Sequence, residues 1–118
     1  MHAVKVMTRP VVTVPADATV WSAADILLGA RISAAPVVEP DGRMVGIVSE
    51  ADVIGHIGAI VSDVMTEGVI SVEETATVEE IATLLSQHRI KRVPVMNGGS
   101  LRGMVSRSDI VRAIATRP

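Results

Sequence analysis

The 118-residue chain contains no cysteine, no phenylalanine and no tyrosine. The first absence excludes disulfides, thiolate zinc sites and cysteine nucleophiles together, and it fits a reducing compartment. Trp21 is the single aromatic residue, so the core has to be assembled from Val, Ile, Leu, Ala and Met, which suits strands packed on helices. Histidine is scarce: His2, His56 and His88 lie far apart without an H-E-x-x-H or related spacing, and no metal site is expected. Long hydrophobic runs are missing too. The most apolar stretch, Val53 to Ser62, is far short of the ~18–20 residues needed to span a bilayer. The N-terminus carries charge without a continuous apolar segment, so neither a secretory leader nor a lipidation signal is read, and the expected location is the cytoplasm.

Charge excludes further classes. A net charge of −2 gives no general attraction to nucleic acid or to an anionic membrane surface, so any anion site has to be local. No nucleophile with a paired base, no P-loop lysine and no metal-ligand set is legible, and an enzyme is not expected. The length is that of one compact domain, which predicts a single shared core.

What the sequence does contain is a repeat. Val6-Met7-Thr8 returns as Val64-Met65-Thr66 at an offset of 58, followed by Ala18-Thr19-Val20 on Ala76-Thr77-Val78, Arg31-Ile32 on Arg89-Ile90, and Pro36-Val37 on Pro94-Val95. After one deletion in a turn the offset becomes 57, and Gly46-Ile47-Val48-Ser49 falls on Gly103-Met104-Val105-Ser106, with Asp52 on Asp109. The boundaries are read as residues 1–60 for the first copy and 61–118 for the second.

Each copy predicts the order β-α-β-β-α. A short β-rich run, Val11 to Val14 or Val69 to Val72, leads into a helix. In the second copy Thr77 and Glu80 have capping-box spacing before an apolar stripe of Val78, Ile81, Ala82 and Leu85. Ser22 makes the corresponding cap in the first copy weaker. A hairpin follows, turning at Glu39-Pro40-Asp41-Gly42 or at Asn97-Gly98-Gly99. The last helix starts at Ser49 or Ser106, and Gly55 and Gly58 predict that the first of these is short, since each costs roughly 0.5–1 kcal/mol inside a helix. Met7 and Met65 are expected to seal the junction between copies, with no cofactor role. A lone copy of about 58 residues buries a marginal core, so the two are expected to pair about a pseudo-twofold axis.

The ordered motifs V-M-T, D-A-T-V, R-I-S-A-A-P-V-V and D-G-R-M-V-G-I-V-S-E-A-D resemble a cystathionine-β-synthase (CBS) domain. V-M-T, T-A-T-V-E-E, H-R-I-K-R-V-P-V and L-R-G-M-V-S-R-S-D resemble the second half of a tandem CBS pair, or Bateman module. The resemblance runs from about Val4 to Ala115 and implies an α/β (α+β) fold with two clefts, each drawing on both copies. Members of that family bind AMP, ADP, ATP or S-adenosylmethionine, and two modules commonly stack into a homodimer.

Carried over residue by residue, the resemblance implies one cleft in which Asp109 reads ribose hydroxyls, Ser106 and Ser108 approach ribose or phosphate oxygens, and Arg89 and His88 approach phosphate. Adenine would lie against Ile32, Ser33, Ala34 and Met104, with Ala18 and Ala23 beside it. The second cleft would use Asp52, Ser49, Arg31 and Ile47, with Ile90, Lys91, Arg92, Ala76 and Ile81 on the base side. Lys91 and Arg92 replace small residues there, and would either crowd an adenine or recruit a more highly charged phosphate tail.

Elementary chemistry fits these assignments. A carboxylate past a strand end can accept from both ribose hydroxyls, the first N–H groups of a helix favour an anion, and Gly46 or Gly103 would let a ligand approach the backbone. On spacing alone, however, S-x-x-D reads first as a helix cap, and the basic loop reads as a solvated surface. Three readings therefore stand: a non-enzymatic regulatory adenosine-ligand sensor that acts as a homodimer through a separate effector protein, a structural dimerisation module with empty clefts, and a much weaker nucleic-acid binder without an aromatic platform.

Overall fold

A computed structural model describes residues 1–116 and divides the chain into two compact units. Neither is a contiguous copy of the repeat. One unit is Val12–Val69; the other combines Met1–Val11 with the chain from Ile70 onward.

The Val12–Val69 unit contains β1 (Val14–Pro15), α2 (Val20–Ala30), β2 (Ala34–Val38), β3 (Met44–Ser49), α3 (Glu50–Gly55) and α4 (Val61–Val64). Its partner contains α1 (Ala3–Val6), β4 (Val72–Glu73), α5 (Val78–His88), β5 (Arg92–Asn97), β6 (Ser100–Ser106) and α6 (Arg107–Ala115). Each has a three-stranded sheet, ordered β1-β2-β3 or β4-β5-β6. The first pair of each sheet is parallel and the second antiparallel. A parallel pair needs a crossover, which α2 and α5 supply; the antiparallel pair needs only the expected hairpin turn.

The helix predictions hold at residue level. Thr77 and Glu80 form a full capping box on α5, whereas Thr19 accepts only from the Ser22 amide, at 3.1 Å, without the reciprocal bond. α3 ends at Gly55, and α6, lacking that glycine, runs to Ala115.

The single shared core does not. Val14, Ala23, Leu27, Val37, Val48 and Val61 form one buried cluster, and Ala3, Ile81, Leu85, Val93, Val95 and Val105 form another. The reason is the short helices α1 and α4, which are not legible as helices in the sequence. Ala3 and Val61 occupy equivalent repeat positions and are both completely buried, each in the core built mainly from the other copy. The Ala3 amide donates to the Ala76 carbonyl at 2.8 Å, and Val61 to Ala18 at 2.9 Å. Thr8 then pairs with Met104, and Thr66 with Ile47, through reciprocal backbone hydrogen bonds of 2.8–3.1 Å. Each unit thus completes its own core with a segment lent by the other repeat, which removes the need for one hydrophobic centre.

Candidate functional site

The S-x-x-D motifs fold into the same local structure twice. The Ser49 amide donates to Asp52 Oδ2 at 2.8 Å, the Ser49 hydroxyl lies 3.0 Å from the same oxygen, and the Asp52 amide donates back to Ser49 Oγ at 3.3 Å. Ser106 and Asp109 reproduce this at 2.8, 3.1 and 3.3 Å. Both are complete capping boxes, so the cap reading made from spacing alone is realised in each copy. One carboxylate oxygen remains on the far side of each box. On Asp109 it accepts from Arg112 Nη1 at 3.1 Å, while among the described residues no hydrogen bond reaches Asp52 Oδ1. Gly55 stands where the other copy has Arg112. Asp109 is also the buried member, 8% exposed, and Asp52 is half-buried.

Arg31 and Arg89 end α2 and α5 in the left-handed conformation, with φ of 57° and 53°. That region suits glycine and costs a residue with a Cβ roughly 1–2 kcal/mol. An arginine held there in both copies is placed at a local cost in stability, a pattern associated with functional positions. The arginines lead directly into the loops that the resemblance assigns to ligand contact.

Backbone bonds tie those loops to the caps. The Glu50 amide donates to the Ser33 carbonyl, and the Arg107 amide to the Lys91 carbonyl, both at 2.9 Å. Sheet register sets Ala34 opposite Ser49 and Arg92 opposite Ser106. Within one unit, His88, Arg89, Ile90, Lys91, Arg92, Met104, Ser106, Ser108 and Asp109 are therefore gathered around one sheet end. Within the other, Arg31, Ile32, Ser33, Ala34, Ile47, Ser49 and Asp52 are gathered in the same way. The residues expected for each cleft are divided between the units, one half-site in each.

Three expectations need correction. Ala23 and Ile81 are completely buried in the two cores and present no side-chain surface to a ligand. Their apolar-stripe spacing put them on the inner helix face, which the core claims first. Ala34, 7% exposed, offers little more. Gly46 and Gly103 do not clear space for a ligand either. A Cβ on Gly103 would come within 2.5 Å of Met7 Sδ, and one on Gly46 within 2.7 Å of Met65 Sδ and 2.8 Å of the Thr66 carbonyl oxygen. The methionines of the V-M-T motifs fill both hollows, each joining one repeat to the other inside a unit.

The sequence reading passed over Arg107. Its Nε donates to the Ile90 carbonyl at 3.2 Å, adding an exposed cation beside Arg89 and Lys91. The signal was its replacement of Glu50 at the equivalent position. Thr8 and Thr66 were quoted only as repeat landmarks, yet they cover the backbone of Met104 and Ile47. Among the described residues no group of three or more His, Cys, Asp or Glu could hold a metal ion, and no helix is long and apolar enough to cross a membrane.

Comparison with known proteins places this geometry. The CBS domain family matches residues 3–59 and again residues 61–116. Protein YlbB of Bacillus subtilis is 37% identical over 99 residues, covering 77% of this chain and 67% of YlbB. Inosine-5'-monophosphate dehydrogenase of Halalkalibacterium halodurans is 31% identical over 113 residues, 92% of this chain but 23% of the enzyme, so the chain spans about a quarter of that relative. Among solved structures, CBSX2 in complex with AMP matches with a TM-score of 0.89 and 26% identity, over 97% of this chain and 96% of that one. The CBS domain pair of MJ0100, in complex with 5'-methylthioadenosine and S-adenosyl-L-methionine, matches with a TM-score of 0.88 and 26% identity, over 98% and 96%. The chain belongs to the CBS-domain family and carries two copies of the domain in tandem.

Proposed function

We propose that this CBS pair is a non-enzymatic regulatory module that binds an adenosine ligand of the AMP, ADP, ATP or S-adenosylmethionine class, works as a homodimer, and passes occupancy to an effector protein. The observation that carries the reading is the duplicated half-site: a Ser-x-x-Asp box, an arginine fixed in the left-handed region and a loop bonded to the box, all twice in one chain. The solved pairs named for AMP and for S-adenosyl-L-methionine support the ligand class.

In this reading Asp109 and Asp52 accept from ribose hydroxyls, Ser106, Ser108 and Ser49 meet ribose or phosphate oxygens, and Arg89, His88 and Arg31 meet phosphate. On the base side the reading uses Ala18, Ile32, Ser33 and Ile47 from the Val12–Val69 unit, and Ile90, Lys91, Arg92 and Met104 from the other. A guanidinium fork matches phosphate oxygens in two directions at once, which an ammonium does not. Regulation requires the ligand to favour one of two states of the module, since equal affinity for both shifts nothing.

One observation favours a second reading, a structural dimerisation module with empty clefts: both Asp109 oxygens are already engaged, by Ser106 and by Arg112. Thermal unfolding with AMP, ADP, ATP and S-adenosylmethionine separates the two. A ligand at a hundredfold its dissociation constant adds about 2.7 kcal/mol of stability, and an unmoved midpoint with all four leaves the structural reading standing.

A further inference from the structure

The chain has six methionines and no cysteine, so reversible oxidation of a sulfur can fall only on a thioether. The six differ in access. Met1 is 60% exposed and Met96 9%, while Met7, Met44, Met65 and Met104 are half-buried. Met7 stands apart by what it holds in place. Its side chain lies along the buried Gly103 so closely that a Cβ there would meet Sδ at 2.5 Å, Cγ at 2.8 Å and Cβ at 3.0 Å. On its other side it packs against the core that contains Ile81, Val93 and Val105. The next residue, Thr8, exchanges its two backbone hydrogen bonds with Met104, on the strand that leads to Ser106. Residues 1–11 are separated from the rest of their unit by the whole of Val12–Val69, so these contacts, rather than a short chain connection, keep them docked.

We propose that Met7 is a modification site: peroxide converts its thioether to the sulfoxide and thereby undocks residues 1–11 from the unit that carries the Ser106–Asp109 box. The step needs no adenosine ligand. The sulfur gives an electron pair to one oxygen of hydrogen peroxide, the O–O bond breaks as the S–O bond forms, and the other oxygen leaves as water. A methionine sulfoxide reductase reverses this with two electrons and two protons, releasing the added oxygen as water. The oxidised side chain is polar and one atom larger. Both changes are unfavourable at Met7, where an apolar core lies on one side and a glycine with no spare space on the other. Met65 supplies the contrast within the same chain. It lies against Gly46 in the same way, but inside the contiguous Val12–Val69 unit and with the Thr66 carbonyl oxygen also against that glycine. Oxidation there strains a segment that the chain itself keeps tethered to its core, so it does not release residues 1–11.

Trypsin and peptide mass spectrometry read the state of the segment. Lys5 is exposed but lies inside α1, so the bond after it is protected while the segment is docked. Graded hydrogen peroxide is expected to oxidise Met1 first, Met7 later and Met96 last. Cleavage after Lys5 then rises about tenfold in step with the Met7 sulfoxide and not with that of Met1. Treatment with methionine sulfoxide reductases returns cleavage to its starting rate. Met7→Leu keeps the apolar volume without the sulfur and stays protected in peroxide. Met7→Gln puts a polar group in the same place and is cleaved rapidly without peroxide. The proposal is overturned if Met7 is still a thioether when Met96 is oxidised, if peroxide accelerates cleavage equally in the Met7→Leu chain, or if the Met7→Gln chain is as protected as the wild type.

Discussion

Arg112 Nη1 lies 3.1 Å from Asp109 Oδ1, closing the last open oxygen of a carboxylate whose other oxygen already accepts from the Ser106 amide. The equivalent pair in the first copy is Gly55 and Asp52, and among the described residues no arginine takes the Arg112 role beside the corresponding oxygen. Two half-sites with the same backbone therefore differ in how ready their carboxylate is. Arg112 is 69% exposed, so its ion pair is screened and worth less than about 1 kcal/mol. Arg112→Ala is expected to tighten adenosine-ligand binding at the Asp109 half-site by about two- to fivefold, with little change in melting temperature. Titration calorimetry with AMP reads this, and unchanged or weaker binding counts against Asp109 as a ligand group.

Asp109 carries two duties that one substitution confuses and two separate. Asp109→Ala removes a cap, costing about 1 kcal/mol of stability, and weakens adenosine-ligand binding by about tenfold or more. Asp109→Asn keeps an acceptor for the Ser106 amide, so it is expected to retain most of the stability and still lose the affinity. Binding that follows stability across both variants would identify the residue as a cap alone. Asp52→Ala and Asp52→Asn give the parallel comparison in the other unit.

Arg89 sits where glycine is the cheaper residue. Arg89→Gly is expected to raise stability by roughly 0.5–1 kcal/mol while weakening ligand binding. Denaturant unfolding and calorimetry on the same preparation test the trade. A variant that is both less stable and equally tight would remove the argument from conformation.

The two glycines facing the V-M-T methionines predict an ordered pair of effects. At Gly103 the added carbon meets Met7 side-chain atoms, which can shift, but at Gly46 it also meets the Thr66 carbonyl oxygen, which is backbone. Overpacking of this kind costs about 1–3 kcal/mol. Gly46→Ala is expected at or beyond the upper end, Gly103→Ala nearer the lower, and Met7→Ala should rescue part of the Gly103 loss. Equal penalties at the two positions in urea unfolding would contradict the packing described.

Most of the architecture was legible because it is local. Short β-rich aliphatic runs, Pro-Asp-Gly and Asn-Gly-Gly turns, and Thr-x-x-Glu before an apolar stripe each specify an element from a few neighbouring residues. The number of cores was not legible, since it depends on where Ala3 and Val61 go, and nothing near those residues says that each is buried among residues from the other copy. The site shows the same division. The serine-aspartate pairs and arginines were found by repeat position, but Ala23 and Ile81 were carried over from the family motif although their apolar-stripe spacing already placed them on the buried helix face. Arg107 was passed over because its hydrogen bond goes to a carbonyl 17 residues away.

The lending of leading segments has a consequence during synthesis. Residues 12–69 include everything their unit needs and can fold as soon as they leave the ribosome, in the usual N-terminal-first order. Met1–Val11 emerge earlier still, yet must wait for strand β6 before Thr8 finds Met104. Residues 1–11 are thus made before the rest of their unit yet dock among the last of it, and removing them would be felt in the core built around Ile81, Val93 and Val105.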